Sequence, residues 1–460
     1  MKIAVLNGSP KGDISVTMQY VHYIQKKFSE HEMKIVNISH RIAAIEKNEN
    51  AFQDIIGEIN SADGVLWAFP LYYFLVPSQY KRFIELVSEK NAKNAFKDKY
   101  TAVLSTSIHF YDHTAHNYMN AICDDWGMKY IGFFSADMAD LMEESGRTKL
   151  IRFAEHFFEA VKNNSPTSKN FHPVTSTDFN YAPANAANRI DSRNKNIVIV
   201  TDADNGQTNL SRMVERFSET FSTQVEVINL NDVDIKGGCL GCIQCGYDNQ
   251  CVYGDKDGFM AFYDNKIKPA DVLVMAGTIK DRYLSARWKT FFDRSFFQGH
   301  VPSLTGKQIG YIVAGPLAQI PNLRQILEAY AQIQQANLAG FVTDESGDSA
   351  KIDRLLQDFG ERLIRFAGSR YVSPPTFLAV GGRILFRDSV WGRLRFPFLA
   401  DHIAYKRLGL YDFPQKKYKS RIISSIMLLL TKIPSMRKEI YTKRMKSEMI
   451  KPLQKIVEEK

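Results

Sequence analysis

Lys2-Ile3-Ala4-Val5-Leu6, then Asn7-Gly8-Ser9-Pro10-Lys11, then Ser15-Val16-Thr17 at the start of a helical pattern decides the fold of this chain. The first run is almost wholly apolar, as expected of a strand buried on both faces of a parallel sheet. The second is a turn cluster. The third opens an amphipathic stretch over 15–28. Strand, small-residue turn and helix together make the first step of a doubly wound sheet.

Outward from that step the pattern repeats. Strand-like runs return at 34–38, 64–68, 100–105 and 129–133, with helical stretches near 53–59, 77–88, 116–126 and 149–161 between them. Five strands alternating with helices imply right-handed crossovers and a parallel sheet. Residues 163–194, rich in Asn, Ser, Pro and Ala, lack periodicity and read as a linker. The pattern then restarts. Strands are expected at 196–200, 224–230, 271–276 and 308–314, with a short last one near Phe341, and helices at 207–221, 286–297, 323–337 and 351–366. Ala62-Asp63 aligns with Ala270-Asp271 and, without a gap, Tyr80, Lys81 and Phe83 align with Trp288, Lys289 and Phe291, which points to an internal duplication. The expected domains are 1–162, a linker 163–194, 195–368, and an extension 369–460.

The composition, 45% hydrophobic and 24% charged over 460 residues, is that of a soluble globular protein. No charged n-region with a long apolar stretch opens the chain, and no apolar run is long enough to span a bilayer, so a cytoplasmic location is expected. Four of the five cysteines fall together, which suggests a metal or cluster site in a reducing compartment rather than disulfides. The net charge of +9 is uneven: 369–460 holds 20 of the 59 Lys and Arg but 7 of the 50 Asp and Glu.

Ligands of a doubly wound sheet bind outside the carboxyl ends of its strands. Three loops of the first unit lie there. In Asn7-Gly8-Ser9-Pro10-Lys11 and Ser15-Val16-Thr17, small residues, hydroxyls and a helix start suit a phosphate. Phe69-Pro70-Leu71-Tyr72-Tyr73-Phe74, after the third strand, offers apolar and aromatic surface to a flat ring system. Ser105-Thr106-Ser107-Ile108-His109-Phe110, after the fourth, offers small polar groups.

With these loops in this order, the first unit resembles the NADPH-dependent FMN reductase family of the flavodoxin-like superfamily. The matching residues are Gly8-Ser9-Pro10-Lys11 with Ser15 and Thr17, then Phe69-Pro70-Leu71-Tyr72 with Pro77 and Lys81. The resemblance implies two tandem flavodoxin-like α/β domains and an NAD(P)H-dependent flavin oxidoreductase. It implies that Ser9, Lys11, Ser15, Val16 and Thr17 hold the FMN phosphate and that Pro70, Leu71, Tyr72 and Tyr73 line the ring. Ser105, Thr106, Ser107 and His109 would face the pyrimidine edge. In the second unit Asp202 and Asp204 replace the Gly-Ser-Pro turn and would repel a phosphate, while Gly206, Thr208 and Asn209 still fit a helix start. Its ring loop reads Gly277-Thr278-Ile279-Lys280-Asp281-Arg282-Tyr283.

Cys239, Cys242, Cys245 and Cys251 are spaced Cys-x2-Cys-x2-Cys-x5-Cys among Gly237, Gly238, Gly241 and Gly246. Four thiolates so spaced suit a [4Fe–4S] cluster. Zinc also takes four cysteines, though structural zinc sites usually come as two separated pairs, and free thiols are the third reading. The compact spacing resembles the iron–sulfur flavoproteins, although Lys256-Asp257 stands where those carry an acidic pair. Cys123 reads as a core thiol. His109, Asp112, His113 and His116 could form a metal cluster, a flavin neighbour or a polar helix cap.

In the extension, Trp391-Gly392-Arg393-Leu394-Arg395-Phe396-Pro397-Phe398 mixes bases with aromatics. The apolar run 422–430 is flanked by Arg421, Lys432, Arg437, Lys438, Lys443, Arg444 and Lys446. It is read as a helical extension that packs on the second domain or on a dimer partner, or lies on an anionic membrane surface. No nucleic-acid recognition module is visible. The expected partners are a nicotinamide cosubstrate, an electron acceptor and a second copy in a homodimer. The other functional reading is an electron carrier or redox sensor that does not itself oxidise NAD(P)H.

Overall fold

The computed structural model describes residues 1–444 except Thr177, Ala187, Asn205 and 413–417, and also Gln454. Met1–Ala404 is one compact unit and Tyr405–Lys460 another.

The first unit contains two five-stranded parallel sheets of the same topology. Strands β1 (Lys2–Asn7), β2 (Glu32–Asn37), β3 (Gly64–Pro70), β4 (Tyr100–Ser107) and β5 (Lys129–Asp137) are ordered β2-β1-β3-β4-β5. Strands β6 (Ile197–Thr201), β7 (Glu226–Asn229), β8 (Val272–Thr278), β9 (Gln308–Ala314) and β10 (Asn337–Thr343) repeat that order as β7-β6-β8-β9-β10. The central strands are the apolar runs of the sequence, buried along nearly their whole length. The duplication extends to backbone detail. Leu71 N–H donates to Thr106 O, and Ile279 N–H to Ala314 O; Ile38 N–H donates to Asn7 O, and Leu230 N–H to Thr201 O.

Helices α1 (Val16–Lys27), α2 (Glu49–Asn60), α3 (Ser78–Glu89), α4 (Asp112–Asp125) and α5 (Glu144–Lys162) cover the first sheet. Helices α6 (Asn209–Ser218), α7 (Ala286–Arg294), α8 (Pro321–Ile333) and α9 (Ser349–Ser369) cover the second. The outer face of each sheet has its own apolar core. The inner faces share one, in which Trp67, Tyr80 and Phe83 belong to the same cluster as Trp288, Phe291 and Phe292. Helices α3 and α7, which carry the aligned Lys81 and Lys289, pack on each other there.

Three expectations need adjusting. The 163–194 segment is irregular but docked: Tyr181 is fully buried, Thr175 N–H donates to Gln319 Oε1, and Ala182 N–H donates to Ser349 Oγ. Its composition hid this because the anchoring partners lie far away in sequence. Helix α8 stops at Ile333 rather than Asn337, because Gln335 takes a left-handed φ of 54° and Asn337 joins β10. Helix α4 starts at Asp112, before His116, after Tyr111 in the left-handed region. The extension is helical as expected, with α10 (Phe377–Trp391) and α11 (Leu399–Arg407), then α12 (Tyr418–Leu430). Lys446 lies outside the described residues.

Candidate functional site

The three loops of the first domain do meet at the carboxyl ends of its strands. Gly8 turns the chain where no side chain fits: a Cβ would lie 2.7 Å from the Tyr80 ring and 2.8 Å from Phe69. Asn7 Oδ1 accepts Ser9 N–H at 3.0 Å, and Ser9 Oγ accepts Lys11 N–H at 3.2 Å. Ser15 caps α1 by accepting Met18 N–H at 3.2 Å. The N–H groups of Val16 and Thr17 at that helix start have no intrahelical acceptor, which is the donor set an anion requires. Thr17 and Thr106 hydroxyls lie 2.6 Å apart, locking the first loop to the third.

The second loop closes as a tight hairpin. Tyr72 N–H donates to Leu75 O at 2.9 Å, and Leu75 N–H to Tyr72 O at 3.0 Å. Tyr73 and Phe74 both sit at positive φ, 37° and 67°. Two adjacent non-glycine residues there store strain, and such strain gathers at functional sites. The hairpin separates the two tyrosines. The Tyr72 phenol is buried near Cys239 and Cys242, and burial with those neighbours pushes its pKa well up. Tyr73 turns into the second domain, where its ring meets Phe296 and Tyr330.

In the third loop Ser105 Oγ lies 2.8 Å from His116 Nε2, and Ser107 Oγ accepts His109 N–H at 2.8 Å. His109, at φ 62°, is 3.0 Å from Asp112, to which Ser135 Oγ donates at 2.6 Å. The Asp112 hydrogen bond raises the His109 pKa. Burial drives His116 down to about 4. The histidines thus separate, one toward the loop and one into the core. Among the described residues no three His, Cys, Asp or Glu side chains are gathered to hold a metal ion, at this cluster or at the cysteines.

The cysteine segment is the second domain's contribution to the same place. Its base is fixed by Arg294, fully buried with Asp257 at 2.7 and 3.0 Å and donating to Gly237 O at 3.0 Å. Tyr253 Oη donates to Gly238 O at 3.2 Å, and Gln79 of the first domain donates to Cys239 O at 3.0 Å. Gly241, at φ 64°, lies so close to Tyr72 that a Cβ would overlap its hydroxyl, and that Cβ would also stand 3.3 Å from Lys11 Cε. Ile243 is left-handed at φ 61°, an outlier for a β-branched residue. Cys242 is exposed and Cys245 buried, and Gly241 N–H donates to Cys239 Sγ at 3.4 Å. Burial pushes the Cys239 and Cys245 thiols up to about 12. The donor set fits a thiolate-ligated cluster in number and chemistry, although the four sulfurs are not drawn together.

Sequence reading missed what joins the domains. Lys81, fully buried, pairs with Glu85 at 2.7 Å and with Asp281 of the second domain at 2.9 Å. Lys289, also fully buried, pairs with Asp293 and donates to Tyr72 O at 2.9 Å. Ser78 N–H donates to Asp293 and Ala286 N–H to Glu85, each at 2.7 Å, so the start of each helix is capped by an acid from the later turns of the other. The aligned lysines were the available signal. The extension packs on the first domain as well as the second: the Pro397 carbonyl abuts Gly246, Phe386 meets Phe110 at 4.3 Å, and Arg393 pairs with Asp137.

Residues 1–138 match the sequence model of the NADPH-dependent FMN reductase family. The match spans most of the N-terminal domain, which is similar to that family of oxidoreductases. Of the curated proteins, an iron–sulfur flavoprotein of Archaeoglobus fulgidus is 26% identical over 178 residues, 36% of this chain and 78% of its own. Of the solved structures, an NAD(P)H:(acceptor) oxidoreductase of Paracoccus denitrificans is 17% identical with a TM-score of 0.30, covering 35% of this chain and 97% of its own. An FMN-dependent NADH-azoreductase of Bacillus anthracis, in complex with FMN, is 16% identical with a TM-score of 0.25, covering 36% of this chain and all (100%) of its own.

The second domain keeps the first turn of the N-terminal domain, with Thr201 Oγ1 accepting Ala203 N–H at 3.1 Å as Asn7 Oδ1 does for Ser9. Its site is otherwise taken by its own chain. Asp202, raised to about 6 by burial, accepts a hydrogen bond from Ser285. Asn209 at the α6 start donates to Phe179 O at 2.9 Å and accepts Tyr181 N–H at 2.8 Å. The docked 163–194 segment therefore occupies the place corresponding to the start of α1 in the first domain.

Proposed function

We propose that the chain is an NAD(P)H-dependent FMN oxidoreductase in which a [4Fe–4S] cluster on the second domain's cysteine loop receives electrons from flavin in the first. The observation that carries this reading is the contact of Gly241 with Tyr72 and Lys11, which lays the cysteine loop on the flavin loops within one chain. FMN, when bound, supplies two-electron acceptance and one-electron release.

Ser9, Lys11 and Ser15, with the N–H groups of Val16 and Thr17, hold the phosphate. Pro70, Leu71 and Tyr72 line the ring. Tyr73 serves the domain contact instead. Ser105, Thr106 and Ser107 face the pyrimidine edge, and His109, half-exposed and hydrogen-bonded to Asp112, holds a proton beside it. Cys239, Cys242, Cys245 and Cys251 hold the cluster on the base fixed by Arg294 and Asp257. The second domain, with its own site filled, supports that loop and binds no flavin.

Anoxic purification with visible spectra and counts of flavin and iron tests the reading. It expects about one FMN and about four iron atoms per chain. A colourless protein releasing no flavin on denaturation rules it out. In stopped flow, flavin bleaching by NADPH supports the enzyme, whereas reduction only by a protein partner or dithionite identifies a carrier.

A further inference from the structure

In the second unit, α12 (Tyr418–Leu430) carries Ile422 at 60%, Ile423 at 62%, Ile426 at 52% and Leu429 at 63% exposure. At about 100° per residue, Tyr418, Ile422, Ile426 and Leu429 fall together on one side, flanked by Lys419, Ser425, Leu430 and Ile423, while Ser424, Met427 and Leu428 fall opposite. Such a face is costly to leave in water. The exposed apolar side chains continue at Ile433 and Met436 beyond it.

The charge around that face is one-sided. Lys419 and Arg421 precede it, Lys432, Arg437, Lys438, Lys443 and Arg444 follow it, and Glu439 is the one acidic residue in 418–444. Glu439 is paired to Arg444 at 2.6 Å. Thirteen residues span about 20 Å, short of the ~30 Å hydrocarbon core, and no described helix is long and apolar enough to cross a membrane. An apolar helix face that is too short to span and is bracketed by cations suits the interface of an anionic bilayer, its side chains among the acyl chains and its lysines and arginines at the phosphates.

We propose that 418–444 docks the protein on anionic membrane surfaces, with α12 lying in the plane of the interface. Two signals act together, apolar insertion and charge, so binding falls when either is removed. This proposal is independent of the flavin and cluster reading and fails or stands apart from it.

The test is flotation of the full chain with vesicles of phosphatidylcholine alone and of phosphatidylcholine with phosphatidylglycerol. The full chain co-floats with the anionic vesicles, remains at the bottom with the neutral ones, and is released by high salt. The triple variant Ile422→Ser, Ile426→Ser, Leu429→Ser no longer floats while keeping its circular-dichroism spectrum and melting temperature. Arg437→Gln and Lys438→Gln each weaken vesicle binding about fivefold. Absence of flotation with anionic vesicles overturns the proposal, as does equal flotation with neutral ones. A salt-insensitive dimer in light scattering, dispersed by the triple variant, with no vesicle binding, also overturns it and assigns the face to a second copy.

Discussion

Replacing Lys81 by methionine tests how the two domains are joined. Lys81 is fully buried, and its ammonium lies 2.7 Å from Glu85 and 2.9 Å from Asp281. Burial works against its charge, and the two carboxylates outweigh it and raise its pKa. Methionine fills similar volume but leaves two buried carboxylates facing each other. Removing one partner of a buried pair costs about 3–5 kcal/mol. At 2–4 °C per kcal/mol, the melting temperature should fall by roughly 6–20 °C. The loss should depend on pH. Burial already raises Asp281 even with Lys81 beside it, and without Lys81 the raising grows. A carboxyl whose folded pKa lies above its unfolded value binds more protons when folded, so its penalty deepens as pH rises through the unfolded value near 4 and toward the folded one. Lys81→Met should therefore be closer to wild type at pH 5 than at pH 8. Urea unfolding at both values measures it. A loss under about 1 kcal/mol, or one independent of pH, would refute the buried bridge.

His116 is held neutral by burial at about 4 against 6.5, so the unfolded chain takes up its proton first, and stability should fall by about 3 kcal/mol as pH drops from 6.5 to 4. The variant His116→Gln should flatten that segment of the urea-midpoint profile. In metal-free protein, Cys242 is exposed while burial raises Cys239 and Cys245 to about 12, so alkylation at pH 8 followed by mass spectrometry should label Cys242 well before those two, whose thiolate fraction is only ~10⁻⁴. Ser15→Ala removes the α1 cap and one donor of the proposed phosphate site; the melt should show a loss of about 1 kcal/mol, and dialysis should strip flavin faster than from wild type.

The strands were legible because parallel strands buried on both faces are continuous apolar runs, and 2–6, 64–68 and 308–314 are of that kind. The three loops of the first domain were legible as turns at strand ends because small residues and turn formers recur there. Other features were not, for reasons of distance. The docking of 163–194 rests on Gln319, Ser349 and Asp353, which no local pattern links to Thr175, Ala182 or Tyr181. The fate of Tyr73 depends on two successive left-handed residues that a sequence of Leu-Tyr-Tyr-Phe does not advertise. The lysines of the duplicated helices were visible as a repeat, but their carboxylate partners were not.

Those lysines explain why the two copies could become unequal. Helices α3 and α7 meet as two equivalent patches would: the start of each is capped by an acid of the other, Asp293 for Ser78 and Glu85 for Ala286. That reciprocity is the mark of an isologous contact. In a dimer of identical chains, any loop that one copy lays on its partner's site is laid back in return, and both sites must accommodate it. Within a single chain the constraint is lifted. Here the second copy lays Gly241 on Tyr72 and Lys11, while the first copy has only a short connection between β2 and α2 and no cysteines to lay back. The second copy's own loops face no such insertion and are taken up by Asp202 and the docked segment at Tyr181. With the reciprocal face already buried inside the chain, a second copy of the protein cannot use α3 and α7 to pair. Any homodimer must be built on another surface.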